Sequence, residues 1–217
     1  MSVFDRSYFA RNYRDYGRQN PPRKLRFYEQ LVRAHLPARN GPCSVLEIGC
    51  GFGPFLAAIG TGWRKVGLDR SEYALHEARK FSPDAFFAVS DAAAAPVRGP
   101  FDVIVSFDVI EHVPDLDAVA RGVQGALASD GVFVFVVPVY DGPLGPLVHL
   151  LDKDPTHLHK RSRAFWMSWA ARYFQVLDAF GIVRYLLPHG PYLHWPSRLA
   201  LRFGPAIAVC CRRETAV

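Results

Sequence analysis

The sequence of 217 residues lacks an apolar run long enough to cross a membrane. A transmembrane helix needs roughly 20 consecutive apolar residues, and the best candidate, Val132–Val139, has eight and includes Pro138. The N-terminus, Met1-Ser-Val-Phe-Asp-Arg, has charges where a secretory signal peptide has its apolar core. The sequence therefore predicts neither a transmembrane segment nor a secretory signal peptide.

Cysteine is scarce, with four residues in the chain. None of them forms a Cys-x-x-Cys pair, and adjacent cysteines such as Cys210 and Cys211 are poorly placed for a disulfide. Disulfides and cysteine-rich metal sites are thus not expected. We predict a reduced, intracellular protein of the cytoplasm.

Basic residues are not clustered, although the net charge is +6. The formal net charge is +6 in residues 1–44 and again +6 in residues 149–217. Between them, residues 45–148 carry a net charge of −6. No run of Lys and Arg exceeds two residues, as in Lys160-Arg161. Because polynucleotide binding depends on many phosphate contacts, we expect no nucleic-acid partner.

Hydrophobic residues make up half of the chain and aromatic residues 13%, which is enough to build a core. Short β-rich segments alternate with segments of helical periodicity, a pattern typical of a doubly wound α/β sheet. The predicted strands are Ser44–Ile48, Lys65–Leu68, Ala85–Val89, Phe101–Phe107 and Val132–Val137, and the predicted helices between them are Pro54–Ile59, Ser71–Phe81 and Asp115–Ala128.

The flanking regions complete this prediction. An amphipathic helix is expected over 20–37 and another over Ser162–Phe174. Two further strands, Val176–Leu187 and Ala206–Arg212, are joined by a Pro- and aromatic-rich stretch, Pro188–Pro205, that we interpret as a loop. Since this loop holds too little helix for a crossover, the last strand is predicted to be antiparallel. Ser129-Asp130-Gly131 is predicted to be a turn.

The most specific motif joins the first predicted strand to a helix: Glu47-Ile-Gly-Cys-Gly-Phe-Gly-Pro54. Its alternate glycines permit a tight turn and a close approach of a ligand to the backbone. Asp69 follows Gly49 by twenty residues, where a carboxylate can bind the hydroxyls of a ribose. A dinucleotide fingerprint would have glycine in place of Pro54, and Glu47 suits an ammonium group better than a pyrophosphate. The motif predicts a nucleoside-binding site.

At these residues the sequence resembles the class I S-adenosylmethionine-dependent methyltransferases. The glycine motif matches the first motif of that family, Asp69 its ribose-binding acid, and Asp91 with Ala92 its adenine-binding pair. The segment 101–115 looks like the fourth motif, and 127–133 looks like the turn into the fifth strand. The resemblance covers about residues 44–187 and implies a Rossmann-like, seven-stranded, mostly parallel sheet whose last strand is antiparallel.

The resemblance also implies roles for individual residues. Glu47 would lie near the amino group of S-adenosylmethionine, and Asp108 beside its methionyl carbons. The predicted cofactor-binding residues are Glu47, Gly49, Cys50, Gly51, Gly53, Asp69, Arg70, Asp91, Ala92 and Asp108. Asp91 has an alternative interpretation, because an aspartate after a strand is often only a turn former.

Histidines are the candidate bases for a hydroxyl acceptor, because a neutral imidazole accepts protons at neutral pH. The segment Asp154-Pro-Thr-His-Leu-His159 resembles the acceptor-side stretch of the small-molecule branch of the family, and we favour its His157 over His112 and His159. Glu111-His112 resembles quinone-type O-methyltransferases. Glu111, His112 and His157 lack the fixed spacing of a metal motif, so no metal site is predicted.

The family covers its cofactor with the segments that flank the core. We therefore predict one domain, 1–217, with a helical lid (1–43), a cofactor-binding core (44–148) and an acceptor-side segment (149–217). Tyr13, Tyr16 and Arg161 are the candidate substrate contacts, for an anionic or lipid-linked small molecule. The predicted activity is O-methylation; methylation at nitrogen or carbon, or cofactor binding without catalysis, remain the alternatives.

Overall fold

A computed structural model describes Arg6, Tyr8, Phe9 and residues 16–94, 97–186 and 192–213. Tyr13, one of the predicted substrate contacts, lies outside these residues. In the described part of the chain, no helix combines the length and the apolar character needed to cross a bilayer.

The strands form one sheet in the order β3-β2-β1-β4-β5-β8-β6-β7. The first five of these are parallel, whereas β8 is antiparallel to both of its neighbours and β7 is antiparallel to β6. The strands are β1 (Cys43–Ile48), β2 (Trp63–Asp69), β3 (Ala85–Val89), β4 (Phe101–Phe107), β5 (Leu127–Pro138), β6 (Phe174–Leu186), β7 (Tyr192–Ser197) and β8 (Ala206–Arg213).

Helices cover both faces of the sheet, as the strands buried on both faces require. Along β5, Phe133 and Phe135 pack into a core with Trp166 and Trp169, while Val132 and Val134 pack into the core on the opposite face. The helices are α1 (Tyr16–Gln19), α2 (Pro22–His35), α3 (Pro54–Ala58), α4 (Glu72–Phe81), α5 (Leu116–Ala126), α6 (Gly145–Leu151) and α7 (Arg163–Tyr173).

Local sequence accounts for where several helices begin. Ser71 is the N-cap of α4 and accepts a hydrogen bond from the Ala74 amide. Asp115 and Ser162 cap α5 and α7 in the same way. The predicted α/β class and the antiparallel last strand are both confirmed.

The predicted count of seven strands is wrong, because the described residues already form an eight-stranded sheet. The additional strand, β7, lies inside the stretch that was interpreted as a loop. It contains Pro196, which an edge strand tolerates because one side of that strand needs no hydrogen bonds. The predicted turn at Ser129-Asp130-Gly131 lies within β5, where the pairing register with β4 shifts.

We expect Gly181→Ala to destabilise the fold by about 2 kcal/mol. A Cβ atom at Gly181 on β6 would overlap the backbone of Ala200 and Leu201, which cannot yield as a flexible side chain can. Gly122→Ala on α5 is the matched control, since open space surrounds that position; it should stabilise the helix by about 1 kcal/mol. Urea unfolding measures both, and equal stability of the two variants would contradict the packing described for β6.

Candidate functional site

The glycine motif forms a loop in which the backbone itself faces a cavity. Gly49, Gly51 and Gly53 have φ angles of 74°, 53° and 71°, a region that disfavours other residues. A Cβ atom at Gly49 would overlap Val109, and one at Gly51 would lie 2.5 Å from the Tyr16 hydroxyl oxygen. Side chains at Gly49 and Gly51 would therefore displace Val109 and Tyr16, which line the same cavity.

This glycine-loop cavity has a volume of about 180 Å³. It lies at the carboxyl ends of β1, β2 and β4, where the chain leaves each strand. In open α/β sheets, ligands bind at this edge. Gly53 does not line it but caps α3. The other nine predicted cofactor-binding residues do line it: Glu47, Gly49, Cys50, Gly51, Asp69, Arg70, Asp91, Ala92 and Asp108.

Two carboxylates define the polarity of the glycine-loop cavity. Asp69 accepts hydrogen bonds from the amides of Gly51 and Ser71, each at 2.8 Å; burial raises its pKa while these bonds oppose the shift. Glu47 is only 4% exposed, and its Oε2 has no hydrogen-bond partner among the described residues. Burial and then Asp69 raise the Glu47 pKa. A buried, unpaired acceptor of this kind fits a ligand that brings a donor, such as an ammonium group.

Asp91 serves the local turn as well as lining the cavity. Its Oδ1 accepts a hydrogen bond of 2.9 Å from the Ala93 amide, and its Oδ2 lies 3.6 Å from Arg70 Nε. Asp91 therefore forms a local turn and also lines the cavity. Cys50 is buried, and burial raises the pKa of its thiol, so it is not a nucleophile at neutral pH.

A second cavity, of about 350 Å³, adjoins the first. We call it the histidine cavity, because His112 and His157 line it. Four residues line both cavities: Gln19, Lys24, Asp108 and His112. Residues of the histidine cavity alone include Glu111, Asp152, Lys153, Asp154, Arg184 and Tyr192. The shared residues place the contents of the two cavities next to each other.

Asp108 stands at the junction in a strained conformation, with a φ angle of 58°. Its amide donates to the Val136 carbonyl at 2.8 Å, and Arg184 on β6 donates to its Oδ2 at 2.7 Å. Burial opposes ionisation, but Arg184 and then Lys24 outweigh it and hold the Asp108 pKa below its usual value. Asp108 is therefore a carboxylate at neutral pH.

Lys24 is a buried cation on α2, 7% exposed. Its ammonium donates to the Gln19 carbonyl and to Asn20 Oδ1, each at 3.2 Å, and lies over the rings of Tyr28 and Tyr192. Both acceptors are neutral. Burial lowers the Lys24 pKa to about 8, with Asp108 opposing the shift and Arg184 adding to it.

His157 is held by a carboxylate in the arrangement of a catalytic dyad. Its Nδ1 lies 2.8 Å from Asp152 Oδ2, which also accepts from the Tyr140 hydroxyl at 2.7 Å and from Lys160 at 2.9 Å. These donors lower the Asp152 pKa although burial acts against them. Because a carboxylate can only accept, Nδ1 carries the proton and Nε2 is left as the basic nitrogen.

His112 lies beside His157, with ring centroids 4.6 Å apart. Its Nδ1 is 3.0 Å from the Thr156 carbonyl oxygen, so the same tautomer results. Burial and His157 lower the His112 pKa, which makes it a weaker base than an exposed histidine.

The turn after β4 holds the histidine loop, residues 154–159, against the sheet. The amides of Leu158 and His159 donate to the Glu111 carbonyl at 3.1 and 3.0 Å. His159 Nε2 lies 2.9 Å from the Val113 carbonyl oxygen and does not line either cavity. Arg161 also lies outside both cavities, exposed and packed over Phe165. The structure thus does not bring these two predicted site residues into the site.

Glu111, His112 and His157 are brought together although their spacing in sequence is irregular. One ligand atom from each lies within 4.8 Å of the others, the donor set of a divalent-cation site. Both carboxyl oxygens of Glu111 lack a hydrogen-bond partner among the described residues, and burial raises its pKa. A proton on Glu111 would compete with any cation bound here.

Aromatic residues of the N-terminal region cover the glycine loop. Phe9 stacks on Phe52 at a centroid distance of 4.9 Å, and Tyr16 packs against the same ring at 4.6 Å. The Tyr8 hydroxyl donates to Asp154 Oδ2 at 3.0 Å and so links this region to the histidine loop. Tyr16, a predicted substrate contact, lines the glycine-loop cavity.

Sequence reasoning missed Lys24, Arg184 and Asp152. For Lys24 a signal was present, because it precedes Tyr28 by four residues and so belongs to the apolar face of the predicted helix. Arg184 was likewise a lone cation in an apolar strand. Asp152 had no local signal, since its role depends on Tyr140 and His157.

Comparison with known proteins places this site in context. A family model described as a methyltransferase domain matches residues 16–200. The trans-aconitate 2-methyltransferase of Methylobacterium radiotolerans is 32% identical over 70% of the chain and 57% of its own length. A ubiquinone biosynthesis O-methyltransferase of Thiobacillus denitrificans is 34% identical over 52% of the chain and 49% of its own length. The chain thus spans about half of the length of these relatives.

Solved structures share the fold at lower sequence identity. One of them is a chain from a complex between the Haloferax volcanii Trm112 methyltransferase activator and a methyltransferase. It superimposes on this protein with a TM-score of 0.73 at 20% sequence identity, and the match covers 99% of this chain and 100% of that one. A SAM-dependent methyltransferase of Thermotoga maritima gives 0.67 at 17% identity, over 96% and 99% of the two chains. These similarities confirm the Rossmann-like methyltransferase fold.

Lys24→Met is expected to raise the free energy of unfolding at pH 7 by about 2 kcal/mol, because it removes a charge that is costly to bury. The lowered pKa expresses this cost, since the folded protein binds the Lys24 proton less tightly than the unfolded chain does. Above pH 8 the folded wild type loses this proton first, so the advantage of the variant should shrink as the pH rises to about 10. Urea unfolding at pH 7 and 9.5 tests this. The exposed Lys80→Met is the control and should change little; a destabilised Lys24→Met would show the lysine to be structural.

Proposed function

The chain belongs to the methyltransferase-domain family, and on that premise we propose that it transfers a methyl group from S-adenosylmethionine to an oxygen atom of a small-molecule acceptor. The observation that carries this proposal is the junction of the two cavities. A nucleoside-type site and a histidine held by a carboxylate share one boundary there. The same arrangement supports S-adenosylmethionine as the cofactor and a small molecule as the partner.

The glycine-loop cavity fits the cofactor in three respects. The unpaired Glu47 Oε2 suits the ammonium group, and Asp69 is placed for the ribose hydroxyls. The glycines also carry no Cβ atoms, which would displace side chains that line the cavity. S-adenosylmethionine, when bound, supplies an electrophilic methyl group on a sulfonium sulfur. The residues of the chain orient it; Phe9, Tyr16 and Phe52 exclude water from the loop.

Methyl transfer depends mainly on alignment of donor and acceptor, and a hydroxyl acceptor must also lose its proton. His157 is the proposed base, because Asp152 fixes its proton on Nδ1 and leaves Nε2 to accept the proton of the acceptor. The negative charge of Asp152 also stabilises the imidazolium that results. His112 lies on the cofactor side of the same cavity and helps to position the acceptor.

Asp69→Asn should weaken the binding of S-adenosylhomocysteine by roughly ten- to a hundredfold, because an amide replaces a charged acceptor while keeping one oxygen. Isothermal titration calorimetry measures this directly. Glu72→Gln, an exposed change nearby on α4, is the control and should bind as the wild type does. If the wild type shows no binding at high micromolar ligand, the proposed cofactor is wrong.

Asp152→Asn should lower kcat for a hydroxyl acceptor by about a hundredfold, since the amide does not fix the His157 tautomer or stabilise its cation. The assay follows radiolabelled methyl transfer to 3,4-dihydroxybenzoate. The affinity for S-adenosylhomocysteine should not change.

Asp154→Asn is the matched comparison, because Asp154 accepts from Thr156, which contacts His112 rather than His157. A larger loss of kcat in Asp154→Asn than in Asp152→Asn would identify His112 as the base. Binding of S-adenosylhomocysteine without transfer to any acceptor would favour the non-catalytic alternative.

A further inference from the structure

Two buried cations in the histidine cavity share a single carboxylate. The side chain of Arg184 is 17% exposed and pairs with Asp108. Lys24 is 7% exposed, and within the described part of the chain its ammonium donates only to neutral oxygens. Both line the histidine cavity together with Asp108. Burying a cation without an anionic partner is unfavourable, so this wall of the cavity carries one positive charge that its own residues do not balance.

The remaining acids of the histidine cavity are engaged elsewhere. Asp152 is bound to Tyr140, His157 and Lys160. Asp154 accepts from the Thr156 amide and hydroxyl and from the Tyr8 hydroxyl. Glu111 is buried and faces His112 and His157 rather than the two cations, with one ligand atom from each of the three residues within 4.8 Å of the others.

Aromatic rings surround the Lys24 ammonium, so this wall of the cavity suits a planar group of a ligand. Its ammonium lies 5.8 Å from the ring centroid of Tyr28 and 5.3 Å from that of Tyr192. Tyr28 in turn stacks on Phe107 at 4.2 Å. The lowered Lys24 pKa is consistent with a site in which a charge is missing, since an anion beside it would restore the usual value.

We propose that Lys24 and Arg184 bind a carboxylate group of the methyl acceptor, so that the substrate class is a hydroxy acid whose hydroxyl lies at His157. Arg184 retains guanidinium donors beyond the one bound to Asp108, and both cations favour short, charge-assisted hydrogen bonds to a carboxylate. The bound carboxylate is a recognition group and is not itself methylated. This inference rests on the proposed function, because it names the acceptor of the same site.

The carboxylate of the cofactor is the competing occupant of Lys24, which also lines the glycine-loop cavity. Arg184 lines the histidine cavity and not the glycine-loop cavity. A group that touches both cations therefore lies on the acceptor side. This placement favours the acceptor as the source of the carboxylate. If the cofactor carboxylate were bound instead, Lys24→Met would lower the affinity for S-adenosylhomocysteine.

The test compares 3,4-dihydroxybenzoate with the neutral 3,4-dihydroxybenzamide, by calorimetry on protein saturated with S-adenosylhomocysteine. The wild type should bind the benzoate at least tenfold more tightly than the amide. Lys24→Met should abolish this preference by weakening the benzoate alone, and Lys24→Arg should restore most of it. Lys80→Met, on the exposed surface of α4, should keep the full preference.

The inference would be overturned by equal affinity of the wild type for both probes, by binding of neither, or by an unchanged preference in Lys24→Met. A loss of S-adenosylhomocysteine affinity in Lys24→Met that matches its loss of benzoate affinity would also overturn it, in favour of the cofactor carboxylate. Failure of the proposed function has a different signature, because the wild type would then not bind S-adenosylhomocysteine or would transfer no methyl group.

Discussion

The ion pair between Asp108 and Arg184 is the contact on which the arrangement of the site depends. Asp108 directly follows β4 in the parallel half of the sheet, and Arg184 lies on β6 in the antiparallel half. Their contact lies where the glycine-loop cavity meets the histidine cavity, because Asp108 lines both cavities and Arg184 lines the second. The positive φ angle of Asp108 turns the chain out of β4 and directs the carboxylate toward Arg184.

The turn that follows Asp108 carries this constraint to the acceptor side. The Glu111 carbonyl holds the histidine loop through two amides, and the Thr156 carbonyl fixes the His112 ring in return. Asp152 then orients His157 within that loop. The histidines are thus set by a chain of hydrogen bonds that begins at β4, which suits a reaction whose rate depends on alignment.

The features that were predicted correctly depend on residues close together in sequence, and those that were missed depend on contacts between distant residues. The glycine loop and Asp69 are set by motif spacing, and both lie at the predicted edge of the sheet. The edge strand β7 was missed because Pro196 and its aromatic neighbours resemble a loop when pairing is not visible. His159 and Arg161 lie in or next to the predicted acceptor-side segment, yet their side chains contact Val113 and Phe165.

The sequence by itself determined the alternation of strands and helices, the glycine loop and the family resemblance, because hydrophobic periodicity, glycine φ angles and motif spacing are local properties of the chain. Only the tertiary structure decided which charges meet. Lys24, Asp108 and Arg184 are far apart in sequence, and the pairing of β6 with β8 and the packing of α2 bring them to one cavity. Electrostatic balance is a property of that assembled cavity, and no segment of the chain contains it alone.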